Sequence, residues 1–231
     1  DSRHGLVEYT LSMHVIHQFL EKMDNPKILD IGAGTGKYSV ALAKEGYDVT
    51  AVELVKSNLG TLKAKKSTVK AYQGNALDLK RFKDDSFDLT LLFGPMYHLF
   101  EEKDQLLALE EAIRITKAGG IIFAAYCSND ATMVQYCFGR GMLKEEKYKK
   151  LVDLTTFKAS ADPAELFMLY RKEDIDALMS RFKTKRLHFV GTDMATNYMR
   201  SVIDQMDDEL FDLYLRYHLS ICERQDMVGT S

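Results

Sequence analysis

Lys27-Ile28-Leu29-Asp30-Ile31-Gly32-Ala33-Gly34-Thr35-Gly36-Lys37-Tyr38-Ser39-Val40-Ala41-Leu42-Ala43 is the stretch on which the fold turns. The short run from Ile28 to Ile31 reads as a buried strand, and Val40 to Ala43 suit a helix. Between them, Gly32, Gly34 and Gly36 stand at alternate positions. A glycine-rich turn from strand to helix lets a ligand approach bare backbone. The helix N-terminus adds unpaired N–H groups and a partial positive charge. The stretch is a nucleotide-type binding turn.

The spacing narrows the nucleotide. A dinucleotide fingerprint runs G-x-G-x-x-G, and here Lys37 holds the place of its third glycine. The G-x-x-x-x-G-K-[ST] pattern of a Walker loop is not met. Asp30 sits at the strand end just before the first glycine. A carboxylate there repels a pyrophosphate but suits an ammonium group or its water. The combination favours a cationic ligand with an adenosine portion.

The remaining composition is that of an ordinary globular chain. With 231 residues, of which 46% are hydrophobic and 28% charged, it can bury a substantial core as one domain with an elaboration. A net charge of -3 gives no global pull towards nucleic acid. The lysines at Lys63, Lys65 and Lys66, and from Lys144 to Lys150, alternate with apolar or acidic positions and read as solvated helix faces. Cys127, Cys137 and Cys222 are odd in number and lack C-x-x-C spacing. They read as reduced thiols of a cytoplasmic protein rather than as a disulfide framework or zinc site. His14, His17, His188 and His218 show no metal-ligand pattern. Neither a membrane-spanning run nor a secretory signal is visible, and the first residue, Asp1, reads as a trimmed N-terminus.

Taken in order, helical spacing from Glu8 to Met23 is broken by Asn25-Pro26 before the first strand. Further strands are expected at 48–53, 69–73, 87–93 and 120–126. Helices fall between them, the last from Glu101 to Thr116 and closed by Gly119-Gly120. This alternation predicts an α/β fold with a doubly wound, mostly parallel sheet and ligands at the strands' carboxyl ends. A helical insertion is expected after strand five, with helices from about Ala131 to Phe157 and Lys172 to Phe182. A sixth strand at Lys185 to Val190 and a long helical stretch from Asn197 to Cys222 should follow. Asp226 to Ser231 reads as a turn ahead of a seventh strand outside the sequence. The expected layout is a single domain: a binding core at 24–126, an acceptor-side insertion at 127–183, and a C-terminal strand and helix at 184–231.

Asp24 to Tyr126 resembles the class I S-adenosylmethionine-dependent methyltransferases, whose fold is Rossmann-like. The resemblance rests on an ordered set: Leu29 to Gly36 as the first motif, Glu53 as the strand-two acid, Gly74-Asn75-Ala76-Leu77-Asp78 as the third, and Phe87 to Leu99 as the fourth. Ala118-Gly119-Gly120 is similar to the family's L-x-P-G-G turn, with alanine in place of proline. The resemblance implies that S-adenosylmethionine binds at Asp30, Gly32, Ala33, Gly34, Gly36, Glu53, Leu54, Asn75, Ala76 and Phe93. Asp30 would face the methionine amino group, and Glu53 would accept both ribose hydroxyls, since a carboxylate offers acceptors only. Asn75, where the family often has aspartate, would take the adenine amino group, with Asp78 as the competing contact or a turn cap. Arg3 and Tyr9 would fold over the donor as a lid.

Phe93-Gly94-Pro95-Met96-Tyr97-His98-Leu99 lies where strand four opens onto the methyl donor. Relatives that methylate amide or aromatic amine nitrogens often carry Asn/Asp-Pro-Pro-Tyr/Phe there, and Gly-Pro-Met-Tyr lacks that side-chain acceptor. The form is similar to a bacterial branch of generic small-molecule methyltransferases. The implied reaction is methyl transfer to a small-molecule oxygen, carbon or other nitrogen, releasing S-adenosylhomocysteine. His98 is the candidate base. Methylation of RNA or protein, and a non-catalytic donor-binding partner, are the competing readings.

Overall fold

The protein is described from a computed structural model that covers residues 2–228. By packing the described residues divide into two compact units, 19–126 with 161–168, and 2–18 with 127–160 and 169–228. α1 (Arg3–Leu20) opens the chain.

The first unit is built on five parallel strands: β1 (Lys27–Ile31), β2 (Asp48–Glu53), β3 (Lys70–Gln73), β4 (Phe87–Leu92) and β5 (Thr116–Ala124), in spatial order β3-β2-β1-β4-β5. The connecting helices are α2 (Lys37–Lys44), α3 (Lys56–Ala64) and α4 (Glu102–Ile115). Strand order reverses between β1 and β4, so the crevice beyond their carboxyl ends is where an α/β sheet of this kind binds its ligand. Helices on both faces explain the near-continuous apolar strands. Ile28, Leu29, Ile31, Leu89, Leu91 and Leu92 are all essentially inaccessible.

The first four strands fall within a residue or so of their expected places. β5 differs instructively. The helix before it is stopped by Thr116, whose backbone is extended and whose hydroxyl donates to the Ala112 carbonyl at 2.6 Å. Thr116 already pairs with Phe87, yet regular pairing resumes only at Ile121 opposite Leu89. Gly119 and Gly120 carry the intervening bulge. Gly119 has φ +78°, and a Cβ on Gly120 would meet two backbone oxygens at 2.9 Å. The glycines shape the strand rather than close the helix.

In the second unit a pair of two-residue strands, β6 (Cys127–Ser128) and β7 (Leu169–Tyr170), lies parallel. The helices are α5 (Asn129–Thr132), α6 (Glu146–Lys149), α7 (Lys172–Met179), α8 (Arg200–Asp204), α9 (Asp208–Ile221) and α10 (Gln225–Val228). Their main core gathers Val7, Leu11, Met194, Ile203, Phe211 and Cys222.

Several expectations for this half are corrected. The mostly helical segment expected from about Ala131 to Phe157 is a series of short helical pieces that ends at α6. α5 runs into a π-helical segment over 133–138, where the Gly139 N–H reaches back five residues to Val134, and Gly141 then turns left-handed. Lys185 to Val190 is not a strand. No partner strand meets it among the described residues, and its side chains turn to local contacts instead, Arg186 to Asp176 and His188 to Glu223. The helical stretch expected from Asn197 to Cys222 is present as α8 and α9, divided where the Asp207 side chain accepts the Leu210 N–H and caps α9. The Asp226 turn is α10 as far as Val228, and 229–231 lie outside the described residues.

Candidate functional site

At the carboxyl end of β1 the chain must leave the sheet and enter α2 within five residues. It does so with three left-handed glycines, Gly32 (φ +72°), Gly34 (φ +57°) and Gly36 (φ +82°). They serve different ends. A Cβ on Gly32 would lie 2.8 Å from Pro95 Cδ, so this glycine lets the loop beyond β1 close on the loop beyond β4. A Cβ on Gly36 would strike Leu62 at 2.8 Å. A Cβ on Gly34 would meet nothing within 4 Å. Two glycines are demanded by packing, and the third keeps a space clear.

Glu53 ends β2 beside this space and is 5% exposed. Its Oε2 accepts the Gly34 N–H at 2.7 Å and its Oε1 accepts the Val55 N–H at 2.7 Å. Two charge-assisted bonds from backbone amides fix the carboxylate, and each oxygen keeps a further lone pair for a ligand hydroxyl. Leu54 and Val55, the next residues, are about half exposed despite being apolar.

Asp30 is 2% exposed, and its Oδ2 accepts the Ser39 hydroxyl at 2.5 Å. The Ser39 backbone N–H donates to it as well, so Asp30 caps the first turn of α2. Burial pushes its pKa up to about 6; the bonds from Ser39 pull the other way, and Glu53 adds a smaller push upwards.

Beyond β3, the Asn75 Oδ1 accepts the Leu77 N–H at 3.1 Å. That bond sets the turn and leaves one Oδ1 lone pair for another donor. Asp78 accepts the Lys80 N–H at 3.4 Å, the capping role expected as its alternative. Ala33 and Ala76, both partly buried, lie in the same two loops. Phe93 packs edge-on to Tyr38 at 4.9 Å and to Phe123 at 6.2 Å between ring centroids.

His98 closes the 3₁₀ turn Pro95–His98 beyond β4 and is exposed. Its ring lies 4.8 Å from Tyr97 and 5.0 Å from Phe167, the latter at 88°. Among the described residues no hydrogen bond orients the imidazole; aromatic packing does. Arg3 and Tyr9 belong to the second unit, where the Arg3 guanidinium bonds Asp208 at 2.6 Å and lies over Phe211. That guanidinium is engaged within its own unit, and the lid expectation gains no support from it. Sequence reasoning missed Ser39, and it placed Phe167 only in a stretch, Phe167 to Arg171, of the acceptor-side insertion. Ser39 carried a signal, a small polar residue nine positions after Asp30 on a helix whose neighbours are apolar. That Phe167 comes beside His98 is set by an excursion of the chain visible only in three dimensions.

A methyltransferase-domain family model matches residues 29–124, the segment that holds every strand-end group above except Phe167. The chain carries a class I S-adenosylmethionine-dependent methyltransferase domain. Relatives of this domain include a putative methyltransferase of Geobacillus, 34% identical over 101 residues, which are 42% of this chain and 40% of that protein. A cypemycin N-terminal methyltransferase of Streptomyces is 33% identical over 129 residues, 51% of this chain and 52% of the relative. A demethylmenaquinone methyltransferase of Paenarthrobacter aurescens is 34% identical over 103 residues, 45% and 39% respectively. The chain spans about half or less of the length of these curated relatives. An S-adenosylmethionine-dependent methyltransferase structure from Methanosarcina mazei superposes with a TM-score of 0.57 at 21% identity, over 72% of this chain and 82% of that one. It shares the fold. The domain's cofactor is S-adenosylmethionine. The open space at Gly34, with the anchored carboxylate of Glu53 beside it, fits its ribose.

Proposed function

We propose that the protein transfers the methyl group of S-adenosylmethionine to a small-molecule acceptor. The observation that carries the reading is Gly34: left-handed, bonded to Glu53, and facing clear space at the point where strand order reverses. The sulfonium donor supplies an activated methyl group. The chain's part is to bind and align. Glu53 takes the ribose hydroxyls on its remaining lone pairs, and Leu54 lies under the adenine, whose amino group Asn75 accepts. Ala33, Gly36 and Ala76 shape the loops, and Phe93 forms the wall below the methionine portion. Asp30, ionised, faces the methionine ammonium. Holding an acceptor atom in line with the methyl carbon supplies much of the acceleration such a transfer needs. His98 stands one short turn beyond the Pro95–Gly32 contact, in reach of an acceptor proton.

A cytoplasmic location belongs to the same proposal and is supported by the free thiols of Cys127, Cys137 and Cys222. No helix among the described residues is long and apolar enough to cross a membrane.

Calorimetry should show S-adenosylmethionine binding and no NAD binding, and Gly34→Arg should abolish the former while the circular dichroism of the fold persists. NAD binding in its place would overturn the reading. Turnover of labelled donor with a metabolite extract would then establish transfer to a small molecule. Label appearing only in RNA or protein, or in nothing, would refute the small-molecule acceptor.

A further inference from the structure

The helix α9 is apolar on two faces. One is taken up within its own unit: Phe211 joins the core there, with Tyr214, Leu215 and Leu219 packed against it. His218 is buried along the same face. The other face is bare. Leu210, Leu213 and Tyr217 stand at i, i+3 and i+7, where the helix stacks them into one row. They are 50%, 47% and 56% exposed. Together they leave roughly 300 Å² of contiguous apolar surface, a size at which a patch marks an interaction site.

Charge runs beside the row. Glu209 and Arg216 are seven residues apart, as Leu210 and Tyr217 are, so they form a second row along one flank of the first. Glu209 makes no ion pair among the described residues. Arg216 meets Asp212 at 3.1 Å, with both side chains about two-thirds exposed, a contact that is worth little and easily shared. The flank is thus acidic at the start of the helix and basic two turns later. A copy of the helix turned end for end presents the opposite order. With Leu213 against its own copy, Leu210 lies level with the partner's Tyr217 and Glu209 with the partner's Arg216. Each match holds to within one residue's rise, about 1.5 Å. The two-fold axis of such a pair brings the same flank of each helix together, so both Glu209–Arg216 contacts form at once. A parallel pair would instead set these charges against the flank that carries Tyr214 and Ile221.

We infer that α9 is the contact face of a two-fold homodimer, its helices packed antiparallel through Leu210, Leu213 and Tyr217. The occupant is a second copy of this chain because the row is its own complement in charge and register. Three half-exposed side chains per copy make an interface at the small end of the specific ones, so the dimer exchanges with monomer. The pairing needs neither methyl donor nor acceptor and goes beyond the methyltransferase reading.

The test is sedimentation equilibrium of the full chain from about 1 µM to about 1 mM, the range in which a small interface dissociates. The mass should climb towards twice that of the monomer. Leu213→Glu, at an exposed position, should leave the circular dichroism unchanged and hold the chain monomeric throughout. Tyr217→Ser, a milder change on the same row, should weaken the pairing and stands in if Leu213→Glu misfolds. Glu209→Arg or Arg216→Glu alone sets like charges together at both contacts and should weaken dimerisation about 5- to 30-fold at low salt. The double variant restores opposite charges and should recover most of that loss. A chain that stays monomeric at every concentration overturns the second copy as occupant. A dimer untouched by the Leu213 and Tyr217 variants puts the contact elsewhere and overturns the inference as well. A double variant no tighter than the single ones refutes the antiparallel register, and the proposal with it.

Discussion

If Asp30 meets the methionine ammonium, donor binding must be linked to its ionisation. In the unliganded protein burial holds its pKa at about 6, against 3.8 for an unperturbed carboxyl. A cation placed beside it favours the charged form, so binding should bring the pKa back towards ~4. The affinity of S-adenosylhomocysteine, whose α-amino group stays protonated below pH 7, should then fall as pH falls. With free and bound pKa values of about 6 and ~4, binding at pH 5 should be roughly ninefold weaker than at pH 7, and close to ~0.8 proton should be released per ligand near pH 5. Calorimetry in two buffers of different ionisation enthalpy measures both quantities. Asp30→Asn should flatten the pH dependence. A wild-type affinity constant from pH 5 to pH 7, with no proton release, would refute the contact and leave Asp30 as a cap on α2 alone. The same shift bears on stability. A carboxyl raised in the folded state favours folding fully below pH 3.8, and that contribution is lost as pH rises through about 6, a difference of about 3 kcal/mol.

Glu53→Gln should destabilise the first unit by about 1–3 kcal/mol even without ligand, because an amide NH₂ would face one of the two backbone N–H groups that the carboxylate now satisfies. Urea unfolding followed by tryptophan-free probes such as far-UV circular dichroism measures this, and an unchanged midpoint would contradict the geometry. Gly32→Ala should cost about 1–3 kcal/mol from left-handed strain and the Pro95 clash, whereas Gly34→Ala should cost less stability but more donor affinity. The reverse ranking in paired unfolding and calorimetric measurements would sink the assignment of the open space to the ligand.

The first half of the chain was legible because its signals are local. β1, β2 and β4 are short, largely buried runs with Gly, Asn-Pro or Gly-Pro at one or both ends, and the parallel order follows from the helices that connect all but β3 and β4. The second half was legible only in part: α7 and α9 lie where helical chain was expected, but other elements depend on partners. Lys185 to Val190 has strand-like alternation, but a strand exists only where another edge receives its N–H and C=O groups, and Arg186 and His188 find carboxylates instead. The 131–157 pattern is helical in its apolar spacing, yet Gly139 and Gly141 interrupt it at positions a periodicity argument passes over.

The site divides along the same line, and the glycines show why. All three were visible as a turn that spares backbone, but the sequence assigned them one job. Gly32 and Gly36 are required by Pro95 and Leu62, residues 63 and 26 positions away in the chain. That demand is tertiary and would exist with no ligand at all. Gly34 alone faces clear space while its N–H is held by Glu53. Had all three been explained by packing, the loop would have been a structural turn with a borrowed motif. Because one is not, the pattern retains a residue whose small size the protein's own packing does not require. That residue stands where the topology places a ligand, and it separates a binding loop from a tight turn.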